Sequence, residues 1–571
     1  MKVRVYCLVH IILVAIIAIF AHISIIHTPY NLWNATPFYL FTNGYLGYSL
    51  AIPFLLVLFF TNLLLLKSKF ILIFDLLVLG YLILVEPINI FYFKTYNDQL
   101  LFALETFTAI NRGYTYPIQG DLTTLGHAYF FSTLSIVASF DFMQTVGVVS
   151  QLLLNMIPLL LIISLALSRV RDKSNLYASM LPLFFLSSVL VPFFYGRDSA
   201  GTLLASITMV TLSMLMVRRQ KNYLVLFFIS FIALCITYPG FSLIIGLFPL
   251  FLLLTYHMLK RTFDIRESLQ KKFLGLTILM LTIFLATQTI PYNPVSDLII
   301  TIVSTMKTIV LSPEETTLRI SIGATNIIGK YYEDLVRLNI LSSYFLAIVL
   351  SLQLLFKHKE QSLLRLIPIA LLSDIIVFQL MALVWWNTRP YFFFSMAFPM
   401  VYAYVINNIS YQKAEYPKSR VICAILIVII TAGILLTPID KWGPSPRFYP
   451  TERDVLLAEF ISNHSMYDES VAAPGSHSLL LFYSGLYGKN LNNIPEDFRE
   501  VRDFVVLKQL ISSSSLEKYQ LFAFFYMGVT SGLLYYPKSE ILYSLQSIFA
   551  ESNEKYNLIY SSGGLWRCYE L

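Results

Sequence analysis

Apolar stretches of about 20 consecutive residues recur through this sequence from Cys7 to Leu436, and no other feature narrows the possible folds as far. A stretch of that length crosses the hydrocarbon of a bilayer as a helix, whereas a transmembrane barrel is written in alternating strands of about ten residues. The expected fold is therefore an all-α polytopic membrane protein. Composition agrees, with 57% of the 571 residues hydrophobic, 13% charged and a mean hydropathy of +0.69. Those values lie outside the range of a soluble globular chain.

The candidate spans are 7 to 27, 46 to 66, 71 to 91, 143 to 168, 174 to 193, 199 to 217, 222 to 238, 240 to 259, 273 to 291, 339 to 356, 363 to 385, 391 to 408 and 420 to 437, about thirteen in all. The formal charge of +7 does not point to nucleic acid, because the Lys and Arg residues sit in short clusters between the apolar runs and act as topology signals. One orientation puts Lys67 and Lys69, Arg169 to Lys173, Arg218 to Lys221, Lys260 to Lys272, Lys357 to Lys359 and Lys413 to Arg420 on the cytoplasmic side. It requires the apolar segment 124 to 140 to lie along or dip into the interface without crossing. The chain is then a multi-pass plasma-membrane protein with a cytoplasmic N-terminus. Outer loops fall at 92 to 142 and 291 to 338, and an extracytoplasmic tail covers 438 to 571. Cys7, Cys235, Cys423 and Cys568 are scattered, with neither disulfide nor zinc-site spacing.

The tail changes rhythm. "TERDVLLAEFIS" predicts an amphipathic helix capped by Thr451, "SVAAPGSH" a strand entering a turn, and "YNLIYSSGGLWRCYEL" two strands around a Gly-Gly turn. A small C-terminal α/β domain is expected.

The loop after the third span, "KTYNDQLLFALETFTAINRGYTYPIQGD", puts Leu100, Leu101, Leu104, Phe107 and Thr108 on one helical face, with Asp98, Glu105 and Arg112 on another. That pattern predicts an interfacial helix with carboxylates toward water or a cavity, or simply a solvated polar face. Asp75, Glu86 and Asp374 fall within or at the edges of spans, where an ionised carboxylate costs about 2.5 to 3.5 kcal/mol. They are expected to face the bundle interior.

A span, an outer loop with an early acid, an amphipathic helix ending near "RGYTYP", a dipping segment, and many further spans before an outer tail together resemble the GT-C superfamily of membrane glycosyltransferases. That superfamily includes protein O-mannosyltransferases, aminoarabinose transferases and oligosaccharyltransferase catalytic subunits, and the likeness is to an archaeal-type member. It covers 71 to 437 as a GT-C-like transmembrane domain and leaves residues 1 to 70 as two extra N-terminal helices.

The resemblance implies that Asp98 is the catalytic acid of the first loop. Gln99 stands where many relatives have Glu. It also implies that Arg389, in "WWNTRPYFFFSMAFP", and Arg197, in "YGRDSAG", bind the substrate phosphate. A divalent metal, Mg or Mn, would be held through Asp198, and Glu105, Arg112 and His127 would contact the acceptor or the loop. Ordinary roles stand beside these: helix N-capping for Asp198, snorkelling for Arg389, and a structural place for His127. The implied reaction moves a sugar from a polyprenyl (dolichyl) phosphate donor to a glycan, lipid or protein acceptor outside the cell. A polysaccharide polymerase or ligase using lipid-linked donors, or a catalytically silent GT-C-like scaffold, is the alternative. A coupled transporter is disfavoured because the acids gather in outer loops and not at mid-membrane.

Overall fold

The computed structural model describes residues 2–28, 45–63, 68–90, 100–114, 126–140, 152–168, 197–218, 221–258, 267–289, 427–436, 450–464, 521–524, 538–562 and 566–570. It also describes isolated positions in 147–150, 182–186, 338, 425, 471–472 and 479–483. The expected spans 339 to 356, 363 to 385 and 391 to 408, nearly all of 174 to 193, Asp374, and the loop 291 to 338 apart from Leu338 lie outside the described residues.

The described chain is mainly helical. Helices α1 (Lys2–Ile26), α2 (Leu46–Thr61) and α3 (Lys69–Leu84) form an N-terminal unit, and α3 runs into a 3-10 turn at Glu86–Ile90. α4 (Leu100–Arg112) and α5 (Gly126–Ala138) follow. A π-helical turn, Leu152–Met156, opens into α6 (Ile157–Ser168), and then come α7 (Arg197–Arg218), α8 (Lys221–Thr237), α9 (Pro239–Met258) and α10 (Glu267–Thr289). Val5–Ile26 and Phe241–Met258 are long and apolar enough to cross a membrane, while Leu46–Thr61, Asn222–Thr237 and Leu274–Thr287 are shorter apolar helices. Along α1, Val5, Leu8, Ile12, Ile16, Ile19, Ile23 and Ile26 are all exposed. An apolar face of that length suits hydrocarbon contact.

The N-terminal helices report their own directions. His10 and His22 on α1 meet Asp75 on α3 and Glu86 in the turn beyond it. Both positions rise together along the chain, so α1 and α3 run parallel. At Gly47, an added Cβ would lie 2.8 Å from Phe20 and 2.9 Å from Ser24, so the start of α2 packs on the end of α1 and α2 runs the opposite way. This alternation is what two crossings and a return require. α5 has 13 residues, about 20 Å of helix at 1.5 Å per residue, which is short of a bilayer core of about 30 Å. It packs chiefly on α4, with further contacts to α7 and α8.

Near the C-terminus, α11 (Glu452–His464) begins with a reciprocal cap. Thr451 Oγ1 accepts from the Asp454 N–H at 3.2 Å, while Asp454 Oδ2 accepts from the Thr451 N–H at 2.9 Å and its hydroxyl at 2.7 Å. A four-stranded sheet has the order β1-β2-β4-β3, from β1 (Val471–Ala472), β2 (Leu521–Phe524), β3 (Asn557–Ser562) and β4 (Trp566–Glu570). β1 and β2 are parallel and the other pairings antiparallel, with a register shift between Leu558 and Tyr560. α12 (Lys538–Lys555) leads into β3. Cys568 and Tyr569 point to opposite faces of β4, and both are fully buried. The strand is therefore covered on both sides.

Two buried apolar clusters divide the described molecule. The larger joins α1, α2, α3 and α6 to the later parts of α7, to α8, α9 and α10, and to Ile430 and Ile434. The smaller joins α4, Phe131 of α5, Leu154 of the π turn, Ala200 and Leu203 of α7, α11, residues 479 to 483 and Cys568. α7 passes from one into the other, since Leu203 belongs to the smaller cluster and Ala205 to the larger.

Candidate functional site

The smaller cluster adjoins two of the expected site residues, Glu105 and His127. α4 begins at Leu100, which is fully buried, and its next turn carries Phe102, Ala103 and Leu104 into the same cluster. Its other face departs from the expected carboxylate-to-water arrangement. Glu105 is 1% exposed and lies with Oε2 3.3 Å from Nε2 of His127, itself 0% exposed. The physical reason is the fold around it. α5 lies along α4, and a buried carboxylate is tolerated where an imidazole can supply the opposite charge. The Phe102 ring stands edge-on to His127, with centroids 5.1 Å apart. Among the described residues of α4, the exposed ones are Asn111 and Arg112 at its end.

The start of α5 is held by close packing. A Cβ at Gly126 would overlap the Thr237 hydroxyl and lie 3.1 Å from its backbone N and Cα. Gly201, one turn into α7, fits the same corner, where an added Cβ would be 2.5 Å from Tyr238 Cβ. The α8–α9 corner at Thr237 and Tyr238 is thus a common abutment for α5 and α7. Glycine is required at both places because the approaching backbones leave no room for a side chain.

Arg197 and Asp198 are the first two residues of α7, and their side chains lie outside the described part of the structure. Asp98 and Arg389 lie outside the described residues. Even so, Leu100 and Ala200, each two residues beyond Asp98 and Asp198, belong to one buried cluster. The chain segments next to these two acids are therefore parts of a single packed unit. Among the described residues, no three His, Cys, Asp or Glu side chains lie close enough to share a metal ion. Mg and Mn need several oxygen ligands, and the described residues supply no such set.

The C-terminal segment contributes to the same cluster. Val455, Leu457, Ala458 and Ile461 of α11 and Leu479, Leu480, Phe482 and Tyr483 are buried in the same cluster as α4. Behind β4, the Tyr569 hydroxyl donates to Asn553 Oδ1 at 3.1 Å and accepts from Arg567 Nη1 at 3.2 Å. Burial pushes its phenol above the usual value, and Arg567 pulls it partly back.

Sequence reasoning missed two residues. His10 and His22 pass as ordinary members of an apolar helix, yet they meet the two acids of the next parallel helix. His10 Nε2 is 2.9 and 3.0 Å from the two Asp75 oxygens, and Asn62 Nδ2 donates to Asp75 at 3.4 Å. The available signal was the spacing: 12 residues between the histidines of one span and 11 between the acids of another. Spans that run parallel bring such pairs into step.

No protein-family profile and no curated protein sequence matches the chain. Among solved structures, the chain is similar to an archaeal oligosaccharyltransferase, AglB from Archaeoglobus fulgidus in complex with an inhibitory peptide and a dolichol-phosphate. Identity there is 10%, coverage 87% of this chain and 74% of that one, and the TM-score 0.49. A second structure, the same organism's oligosaccharyltransferase tethered to an acceptor peptide, gives 11% identity, 88% and 74% coverage and a TM-score of 0.46. It is also similar to ArnT from Cupriavidus metallidurans bound to undecaprenyl phosphate, at 11% identity, 87% and 97% coverage and a TM-score of 0.44. These values describe a distant likeness, and the structures it reaches are of GT-C glycosyltransferases.

Proposed function

We propose that the chain is a GT-C-type membrane transferase that moves a sugar from a polyprenyl-phosphate-linked donor to an extracytoplasmic acceptor. The observation that carries the reading is the single buried cluster holding α4, the first turn of α7 and the C-terminal segment together. It brings together Leu100, two residues beyond Asp98 in sequence, and Ala200, two residues beyond Asp198.

In this reading the chain crosses the membrane about thirteen times, with its N-terminus inside and residues 438 to 571 as an outer α/β domain. The donor's prenyl tail stays in lipid while its phosphate rests at the outer boundary, where a sugar reaches water. An acceptor hydroxyl oxygen forms a new bond to the anomeric carbon as the bond from that carbon to the phosphate oxygen breaks. Asp98 takes the hydroxyl proton, and the departing polyprenyl phosphate keeps the bonding electrons. Arg389, with Arg197, receives its negative charge through a planar fork of N–H donors. Glu105 and His127, sealed from solvent, hold α4 against α5, and α4 begins two residues after Asp98. A divalent ion at Asp198 would add charge stabilisation, and no step here depends on it.

The test uses the full chain in lipid nanodiscs with a polyprenyl-phosphate-linked sugar. Saturable donor binding and release of free polyprenyl phosphate in the presence of acceptor are expected, with Asp98→Asn binding donor but not turning it over. Absence of saturable binding by the wild-type chain would favour the silent scaffold and sink the transferase reading.

A further inference from the structure

The sheet near the C-terminus treats its two edges differently. β1, at one edge, is two residues long, which leaves little backbone to pair with. β3, at the other, is the longest of the four strands, with six residues, and reads "NLIYSS". An open edge is normally blunted by charge, proline or brevity, and β3 has none of these. Among the described residues nothing pairs with its outer side. Asn557, Leu558, Ile559 and Ser561 are exposed, with Leu558 at 44% and Ile559 at 43%. Asn557 and Leu558 are successive and so lie on opposite faces, which leaves the strand open on both. The register shift between Leu558 and Tyr560 makes Ile559 the extra residue of a bulge, and a bulge bends and twists its strand. The inner side is held by β4. Tyr560 packs against the smaller cluster, its ring 4.7 Å from that of Phe460 in α11. The open edge therefore borders the packed unit that includes Leu100 of α4 and Ala200 of α7.

We infer that the outer edge of β3 is a strand-addition site for an extended, uncharged polypeptide. The outward N–H and C=O groups of an edge strand repeat about every 6.8 Å, two residues at about 3.4 Å each. A sugar, a lipid headgroup or a hydrocarbon chain offers no donors and acceptors at that repeat. The backbone of an extended peptide does, and adding a strand is how such an edge recognises one. Charge narrows the partner further. β3 has no Asp, Glu, Lys, Arg or His, and neighbouring Lys555 is already paired with Glu551 at 3.1 Å, so nothing on the strand neutralises a charged partner. Leu558 and Ile559 instead present apolar surface to β-branched side chains. A second copy of this chain is the poorer match, because its own β3 brings the same bulge and two fixed twists have to fit. A free peptide has no fixed twist. Binding stands by itself; that the captured peptide is also the sugar acceptor rests on the transferase reading.

The test therefore omits any sugar donor. Amide hydrogen–deuterium exchange across β3 is measured for the full chain, one copy per nanodisc. The probe is a synthetic peptide of alternating valine and threonine at up to about 1 mM. Its control is the same peptide with every backbone nitrogen methylated, which keeps the side chains and removes the backbone donors. The unmethylated peptide should slow exchange of the β3 amides that face away from β4 at least about tenfold, and the methylated one should leave them unchanged. No slowing by the unmethylated peptide, or equal slowing by both, overturns strand addition. Slow exchange of the same amides without peptide, appearing only when two copies share a nanodisc, assigns the edge to a second copy and overturns it as well.

Discussion

The two buried clusters solve the same problem with opposite margins. Each hides a carboxylate against an imidazole: Asp75 with His10 in the larger cluster, and Glu105 with His127 in the smaller. In the larger, two long helices lie in parallel, and Asn62 adds a further donor to the acid. In the smaller, two helices of 13 residues each meet beneath a C-terminal segment that arrives from more than 300 positions away. The first arrangement is local to one three-helix unit. The second shares its cluster with residues from the far end of the chain, so a defect in that cluster should disturb α4 and α5 while sparing the N-terminal helices.

The largest expected effect breaks the comparison on the chemical side. Asp98→Asn should lower sugar transfer by about 10²- to 10⁴-fold, the usual worth of a positioned general base, with donor affinity and melting temperature unchanged. Turnover assays on folded protein check it, and full activity would remove Asp98 from its role. Next comes His127→Leu, which takes the imidazole from a buried Glu105 and should cost about 3 to 5 kcal/mol. Melting in detergent measures it, and the double change Glu105→Leu with His127→Leu should recover most of the loss.

Asp75→Leu sharpens the contrast, because what is left behind is a polar imidazole that has lost its hydrogen-bond partner and not a carboxylate. About 1 to 3 kcal/mol is expected, and a loss as large as that of His127→Leu would show that the two clusters do not differ as argued. Gly126→Ala should cost about 1 to 3 kcal/mol through overpacking against Thr237, and protease sensitivity should rise at α5 before it rises at α1. The smallest effect belongs to Thr451→Ala, which removes one side of the α11 cap at about 1 kcal/mol. It is read as a small fall in melting temperature with no change in donor binding.

Much of the helical frame was readable before any coordinates. The runs that became α1, α2, α3, α8, α9 and α10 announce themselves by apolar length, and the short α5 falls within the apolar segment 124 to 140. Thr451 and the β3–β4 hairpin follow from cap and turn chemistry a few residues long. Asp75 and Glu86 could be assigned to the interior because hydrocarbon forbids the alternative. Glu105 could not, since its seven-residue spacing from Asp98 and Arg112 fits a solvated face equally well. Its partner is His127, which reaches it from another helix.

By itself the sequence determined how apolar the chain is, where most of its helices fall among the described residues, and which acids have to find partners. Hydropathy and capping are properties of neighbouring residues, so they survive without knowledge of the fold. The tertiary structure alone decided that those partners are His10, His22 and His127, and that α4, the start of α7 and the C-terminal segment share one core. Such pairings join positions 22, 64, 65 or several hundred residues apart, and the distance between them is set by the packing of whole helices and by nothing in the local sequence.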